Sequence, residues 1–410
     1  MFMNQKVYEN YAKLAVKIGI NLQEGQDVMI TASTRVGEFV KEIVKVCYEN
    51  KARSVRVEWT NEEIEKLRWL NEDVDVMSEV LTWQEEKAKH QAETLPCKIF
   101  VDDADPEAYA GVDVSKMAAV RKARFSVLKK YRDMEDNKNQ WLIVAVPSPN
   151  WAKKVFPELE TEEAVAKLWD AIIKTMRLDA DDPVQAWENH IANLNDKSTK
   201  LNDMNLDYLT YKAANGTDLT VKLQPNHIWL SARETNLKGI DFTANMPTEE
   251  VFTMPKRDGV NGVVMSTKPL SLHGQLVENF KVTFKDGKAV EVTAEKGVDV
   301  LENMLNMDES SRYLGEVALV PFDSPINETG LLFSNTLFDE NACCHLAFGF
   351  AFKSNIKGYE NMTEEDFKEV GYNDSVNHVD FMIGSEDLEI IGYDFDGNAH
   401  KIFENGVWAI

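Results

Sequence analysis

The sequence predicts an α/β N-terminal domain followed by a β-rich α+β domain. The chain has 410 residues, which is more than one hydrophobic core usually serves, so we expect two domains. Apolar β-type runs alternate with amphipathic helical stretches in the first half, whereas short β-like runs dominate beyond Asp203. We therefore predict an α/β domain over residues 1–205 and a β-rich domain over residues 206–410.

The N-terminal half begins with a βαβ pattern. Strand-like residues 28–32 are followed by a helical stretch at 36–50 and a second strand-like run at 54–59, an order that favours a parallel pair. Further buried-type strands are predicted at 97–101 and 141–146. Apolar residues at helical spacing predict further helices at 6–22, 62–92, 114–137, 161–178 and 183–202.

The C-terminal half is predicted to be rich in strands. Asp286 and Gly287 separate two alternating runs, which is a typical signal of a β-hairpin. Strands are expected at 206–212, 217–222, 228–232, 262–265, 279–285, 288–294, 316–320, 378–383 and 388–394.

Composition argues against several classes of protein. A formal charge of −24 repels polyanions, so nucleic acid is not an expected partner. No run approaches eighteen apolar residues, so a membrane span is not expected. The first residues lack the pattern of a secretory signal, and the four cysteines form no C-x-x-C pair. We expect a cytoplasmic protein without a thiolate zinc site.

His378 and Asp380 form the first candidate site. Residues i and i+2 of a β-strand point to the same face, so this imidazole and this carboxylate would lie side by side while Val379 and Phe381 face the core. This geometry is typical of a pair of metal ligands.

Three other segments carry ligand-type side chains in apolar surroundings. Glu249 and Glu250 lie between two prolines and would point to opposite sides of an extended segment, so at most one should enter a site directly. Glu316 begins an apolar strand, where an unpaired buried carboxylate would cost several kcal/mol. His345 follows two cysteines that we interpret as core packing. Each segment also has a simpler interpretation, as an exposed turn, an exposed strand start or a structural histidine.

Other motifs and histidines contribute little. Neither a G-x-S-x-G elbow nor an H-E-x-x-H helix occurs, and no glycine-rich phosphate loop is present. The remaining histidines are interpreted as surface or structural residues: His90, His190, His227, His273 and His400.

The candidate site combines carboxylates with two imidazoles. Such a set of ligands suits zinc, cobalt or manganese, and two such ions could share a bridging carboxylate.

Taken together, these segments resemble the aminopeptidase T and aminopeptidase S family of two-metal exopeptidases. The resemblance covers nearly the whole chain and includes residues 11–26, 147–152 and 155–157 together with the four ligand segments. It implies release of N-terminal amino acids from short peptides with a free N-terminus, by a hydroxide activated on a centre of two divalent metal ions. It also implies a homodimer.

The resemblance also implies the roles of particular residues. The expected metal ligands are Glu250, Glu316, His345, His378 and Asp380, which makes residues 206–410 the metal-binding catalytic domain. The mechanism also needs a carboxylate that carries a proton to the leaving amine, and either Glu249 or Glu340 could do this.

One position departs from the family pattern. Phe352 stands where the family has a tyrosine after the first histidine motif, and it cannot donate a hydrogen bond to an oxyanion.

The alternatives to an aminopeptidase are another dinuclear-metal hydrolase, such as a phosphoesterase or an amidase, and a catalytically weakened peptide-binding relative.

Overall fold

Two compact units make up the structure, which is a computed structural model that describes residues 5–135, 137–272 and 275–410. The first unit comprises the chain up to Glu188 together with Arg233–Met246, and the second comprises Asn189–Ala232 and Pro247–Ile410. Residues 189–204 therefore lie with the second unit and 233–246 with the first. The division at residue 205 stays a prediction about the domains.

The helices are numbered along the chain. They are α1 (Gln5–Leu14), α2 (Gly37–Glu49), α3 (Glu62–Asn71), α4 (Val74–Ser78), α5 (Thr82–Thr94), α6 (Val114–Glu135), α7 (Pro149–Val155), α8 (Thr161–Thr175), α9 (Pro183–Met204), α10 (Val298–Leu305), α11 (Thr336–Asp339) and α12 (Glu364–Glu369). Among the described residues, no helix combines the length and apolar character that a membrane crossing requires.

The strands are numbered in the same way. The first eleven are β1 (Asp27–Ser33), β2 (Ser54–Thr60), β3 (Cys97–Asp102), β4 (Trp141–Ala145), β5 (Leu206–Lys212), β6 (Asp218–Leu223), β7 (Glu234–Thr235), β8 (Asp241–Phe242), β9 (Asn245–Met246), β10 (Val251–Thr253) and β11 (Pro255–Met265). The others are β12 (Leu270–Leu272), β13 (Gln275–Val277), β14 (Lys281–Lys285), β15 (Lys288–Thr293), β16 (Leu314–Leu319), β17 (His345–Gly349), β18 (His378–Met382), β19 (Glu389–Asp394), β20 (Ala399–Glu404) and β21 (Val407–Trp408).

A parallel sheet organises the first unit. Its strand order is β2-β1-β3-β4-β9, and every neighbouring pair is parallel. The predicted βαβ unit is β1-α2-β2, and the buried face of α2 includes Phe39, Val40 and Ile43. The Tyr11 hydroxyl donates a hydrogen bond to the Ala145 carbonyl at 2.8 Å, which ties α1 to the end of β4.

The predicted helical stretch at 62–92 is divided into α3, α4 and α5. Asp73 and Leu81 adopt extended backbone just before α4 and α5. No residue of α3 is buried, so no packed face supports one continuous helix through this region.

Antiparallel sheets organise the second unit. An eight-stranded sheet has the order β15-β14-β11-β6-β5-β19-β20-β21, and a four-stranded sheet has the order β10-β16-β17-β18. The strand predicted at 228–232 is wrong, because only Leu230 forms a bridge, to Phe252 of β10. The neighbouring amides bond elsewhere: Ile228 donates to the Asn355 carbonyl and Trp229 to Asn202 Oδ1. The predicted fold class, an α/β region plus a β-rich α+β region, is nevertheless confirmed by the structural comparison given below.

Candidate active site

The four-stranded sheet of the second unit carries the candidate site on one face. Glu316 of β16 lies opposite Ala347 of β17, and Ala347 lies opposite Asp380 of β18. His345 is two residues before Ala347 on the same face of β17. The small Ala347 side chain leaves space between the carboxylates on either side.

His378 and Asp380 lie side by side, as the alternation of β18 requires. His378 Nε2 is 3.3 Å from Asp380 Oδ1 and 3.0 Å from Glu316 Oε2. The other ring nitrogen, Nδ1, lies 2.7 Å from the Phe350 carbonyl oxygen and donates to it. This hydrogen bond orients the imidazole so that Nε2 faces the carboxylates.

Glu250 enters the same site from the segment just before β10. Because β10 pairs with β16, this segment ends beside the strand that carries Glu316. Glu250 Oε2 lies 3.2 Å from Nε2 of the fully buried His345. The Nδ1 atom of His345 is 3.4 Å from the Cys343 carbonyl oxygen.

The five predicted ligands form two overlapping groups. One group is Glu250, Glu316 and His345, and the other is Glu316, His378 and Asp380. Within each group the potential ligand atoms all lie within 4.8 Å of one another. Glu316 belongs to both groups, which is the arrangement that two ions sharing a bridging carboxylate would require.

The charges of these groups perturb one another strongly. Burial alone would lower the pKa of His345, but hydrogen bonding to Glu250 and the charge of that carboxylate raise the pKa to about 9. Burial also opposes a charged His378, yet Asp380 and Glu316 raise its pKa well above the usual range. Burial raises the pKa of Glu316 despite the opposing effect of His378.

These side chains fit divalent cations. Three carboxylates and two imidazoles converge, and buried like charges are stable only with a counter-charge. Within the described part of the chain, the contact of the buried Asp380 Oδ1 with His378 Nε2 at 3.3 Å lacks the geometry of a hydrogen bond, so this oxygen has an acceptor position left for a cation. Carboxylate oxygens and imidazole nitrogens are ligands that zinc, cobalt and manganese accept.

Glu249 faces away from Glu250, as the extended segment predicts. Its Oε2 atom lies 3.4 Å from His190 Nε2, and its backbone amide donates to Asn341 Oδ1 at 2.8 Å. His190 also contacts the Thr248 carbonyl at 2.8 Å. No local pattern in the sequence predicted the contact of His190 with Glu249.

Glu340 lies close enough to the cluster to be affected by its charges. Burial, followed by the charges of Asp380, Glu250 and Glu316, raises the pKa of Glu340 well above its ordinary value. The fully buried Asn341 contacts Glu340 Oε1 through Nδ2 at 3.4 Å. Asn341 thus connects the segment of Glu249 with that of Glu340. The only sequence signal for this role is that Asn341 directly follows Glu340.

Phe352 lies beside the candidate ligands. Its ring centroid is 5.0 Å from that of His378, and its other ring neighbours are Phe252 and Phe350. The side chain is 37% exposed, so part of the ring surface is open.

His273, which the sequence analysis interprets as a surface or structural histidine, lies outside the described residues.

Comparison with known proteins identifies the family. A family described as thermophilic metalloprotease (M29) matches residues 4–408. Aminopeptidase AmpS of Bacillus subtilis (strain 168) is 46% identical over 400 residues, which cover 97% of each chain. Aminopeptidase 2 of Geobacillus stearothermophilus is 40% identical over 406 residues, or 99% of this chain and 98% of the relative.

A solved structure of the wild-type AmpT from Thermus thermophilus agrees with this relationship. It superposes with a TM-score of 0.91 at 37% identity and covers 99% of this chain and 100% of the other. The resemblance inferred from the motifs and the prediction of an enzyme are both confirmed. The chain belongs to the M29 family of metalloproteases, as a metal-dependent exopeptidase of the aminopeptidase type.

Proposed function

We propose that this protein releases N-terminal amino acids from short peptides with two divalent ions held by its five clustered ligands. The observation that carries the proposal is the pair of ligand groups that share Glu316 on one face of the four-stranded sheet. The proposed ligands all lie within residues 206–410, the predicted catalytic domain. Zinc, cobalt and manganese all suit this set of ligands.

The ions and the protein would divide the chemistry between them. Two divalent ions at these positions would activate a water molecule as the nucleophile and polarise the first peptide carbonyl. The carboxylates of Glu250, Glu316 and Asp380 would hold the ions, and the metal centre would offer a position for the neutral form of the substrate's free amino group. Selectivity for a free N-terminus would follow from this anchor.

Glu340 is our preferred proton carrier. In the metal-free protein, burial and then the charges of the cluster raise the pKa of its carboxyl and favour the protonated form. A protonated carboxyl beside the site can deliver a proton to the leaving amine. Glu249, by contrast, contacts His190 and is held through its amide by Asn341. We therefore propose that Glu249 positions the loop that carries Glu250.

The family relationship also supports proposals about the state of the protein. We propose a homodimer that acts on peptides in the cytoplasm. The four cysteines, Cys47, Cys97, Cys343 and Cys344, are buried as free thiols, which is typical of proteins in a reducing compartment.

A metal analysis combined with a panel of aminoacyl anilides tests the function. We expect two divalent ions per chain, hydrolysis that stops in excess chelator, and recovery with cobalt or zinc. Full activity in excess chelator would contradict the metal mechanism. Hydrolysis of aryl phosphates without any of anilides would favour a phosphoesterase, and bound metal without turnover would indicate a peptide-binding relative.

Substitutions separate the proposed roles. E316Q should lower the content of both ions, whereas E340Q should keep the ions and lower kcat by about 10²–10⁴-fold. The exposed Glu386 provides a matched control, because E386Q makes the same change on the surface of the same unit. A fully active E340Q would show that another group carries the proton.

A further inference from the structure

A main-chain carbonyl sets the orientation of His378. The Nδ1 atom of this histidine donates to the Phe350 carbonyl oxygen at 2.7 Å, so the direction of that carbonyl decides where Nε2 points. A hydrogen bond of this kind fixes both the tautomer and the ring orientation of a metal-binding imidazole. The groups that hold the Phe350 carbonyl in place therefore also control the geometry that His378 offers to an ion.

Asn373 holds the peptide unit that contains this carbonyl. A peptide unit is planar, so the directions of its carbonyl and its amide group are coupled. The Phe350 carbonyl shares its unit with the Ala351 amide, which donates to the Asn373 carbonyl oxygen at 3.0 Å. One end of this rigid unit is thus bonded to His378 and the other to Asn373. Asn373 limits the rotation of the carbonyl that orients the imidazole.

The preceding peptide unit is held in the same way. The Gly349 carbonyl oxygen accepts a hydrogen bond from Asn373 Nδ2 at 2.7 Å, and the Phe350 amide donates to the Asn377 carbonyl oxygen at 2.7 Å. Both peptide units that meet at Phe350 therefore contact Asn373, one through its main chain and the other through its side chain. A rotation at Phe350 would break these bonds.

Asn373 is itself fixed by its surroundings. The residue is fully buried, where a lost hydrogen bond is costly. Its Oδ1 atom accepts from Arg257 Nε at 2.9 Å, and Nδ2 also donates to the Ser310 carbonyl oxygen at 3.0 Å. The Arg257 guanidinium lies 3.8 Å from the centroid of the Tyr313 ring. An asparagine suits this position because its amide offers a donor and an acceptor at once.

We propose that Asn373 is a positioning residue for the metal centre and acts through the Phe350 carbonyl on His378. Its side chain bonds to main-chain carbonyls and to Arg257, so its influence reaches an ion through the imidazole. This inference rests on the metal centre proposed above and adds the residue that sets the orientation of one of its ligands.

The effect of Asn373 should fall on one of the two ions. Of the two ligand groups, only the one formed by Glu316, His378 and Asp380 contains His378. The Nδ1 atom of His345, in the other group, lies near the Cys343 carbonyl oxygen instead. A change at Asn373 is therefore expected to weaken the ion held by His378 more than the ion held by His345.

A cobalt titration of the whole chain, followed by the visible absorption of the bound ion, tests this role. N373D keeps the size of the side chain and its acceptor for Arg257, but it replaces the donor to the Gly349 carbonyl with a negatively charged oxygen. We expect N373D to bind the ion of His378 about 10–100-fold more weakly and to alter the absorption bands of that ion. H378A and H345A identify the two ions, since each substitution removes a ligand that belongs to one group only.

N139D separates positioning from stability. Asn139 is a buried asparagine of the first unit, and its Nδ2 atom donates to the Pro96 carbonyl oxygen at 3.0 Å. The same substitution there removes the same kind of hydrogen bond away from the ligands. We expect N139D to lower the melting temperature but to leave the cobalt affinity and the absorption bands unchanged.

The outcomes distinguish this inference from the proposed function. Natural affinity of N373D for both ions would overturn the positioning role and leave the metal centre. An equal loss of both ions, or a loss that N139D reproduces, would also overturn it, because either result indicates a general loosening of the fold. A natural chain that binds no cobalt would overturn the metal centre and this inference with it. If N373D fails to fold by circular dichroism, R257Q removes the donor to Asn373 Oδ1 and should weaken the same ion, and unchanged affinity would overturn the role.

Discussion

Phe352 stands where the resemblance to the family leads us to expect a tyrosine. Its ring centroid lies 5.0 Å from that of His378, so a hydroxyl added to this ring would be close to the proposed ligands. The side chain is 37% exposed.

We expect Phe352→Tyr to raise kcat on aminoacyl anilides, with little change in metal content. One added oxyanion donor contributes on the order of 3 kcal/mol, or about a hundredfold in rate. Steady-state kinetics with metal analysis of the same samples measures the effect. An unchanged kcat would mean that another group already supplies the donor, or that chemistry does not limit the rate. F352L, which lacks the hydroxyl, is the control.

The protonation of His345 predicts how metal affinity depends on pH. In the metal-free protein Glu250 raises the pKa of His345 to about 9 from an ordinary value of 6.5. The proton must leave before the imidazole can bind a metal ion, so protons compete with metal below pH 9. Affinity should therefore fall as the pH falls, by about tenfold per unit for each proton displaced.

Titration calorimetry with zinc between pH 6 and pH 9, in buffers of different ionisation enthalpy, measures this dependence through the protons released. The same raised pKa of His345 affects the stability of the metal-free protein. It stabilises the fold below pH 6.5, and this contribution disappears as the pH rises through about 9. Metal affinity that does not change over this range would contradict the proposed role of His345.

At the scale of elements, β17 and β18 hold the two histidines in register. Gly349 of β17 lies opposite His378 and has a positive φ of 97°. A Cβ atom at this position would approach the Asn377 carbonyl oxygen to 2.2 Å. The glycine therefore allows the close pairing that places His378 beside Glu316.

We expect Gly349→Ala to destabilise the protein by about 2–4 kcal/mol, because it combines an unfavourable backbone conformation with a clash. Urea denaturation of the metal-free protein measures the loss. Gly397→Ala is the matched control, since it shares a positive φ but has nothing within 4 Å of the added atom. Equal losses for the two variants would show that backbone strain alone, without the clash, explains the effect.

At the scale of the whole molecule, metal binding should stabilise the fold. Without ions, the carboxylates of Glu250, Glu316 and Asp380 repel one another, and the positive partners that contact them in the described part of the chain are His345 and His378. Ions that bind the folded state and not the unfolded state add about 2.7 kcal/mol when present at 100 times their Kd.

Removal of metal by a chelator should therefore lower the melting temperature, and cobalt or zinc should restore it. Differential scanning calorimetry measures the change, and E316Q should respond much less to added metal than the natural chain. A melting temperature that is the same with and without chelator would argue against a metal site in this position.

Local patterns in the sequence determined the fold class and the direction of several side chains of the site. The alternation of side chains along an extended backbone was sufficient to place His378 beside Asp380 in β18. The same alternation predicted that Glu249 and Glu250 point to opposite sides of the segment before β10. The fold class followed from similar local patterns. The choice of Glu250 came from the family resemblance.

Only the tertiary structure decided which distant residues meet. The register that aligns Glu316, Ala347 and Asp380 joins residues more than thirty positions apart, and the contact of His190 with Glu249 joins a helix to a loop. Neither pairing has a local signal, because each depends on how the chain folds around its sheets. Helix α3 is a similar case: Ile64, Leu67 and Leu70 suggest an ordinary buried face in the sequence, yet all three are exposed in the part of the chain that the structure describes.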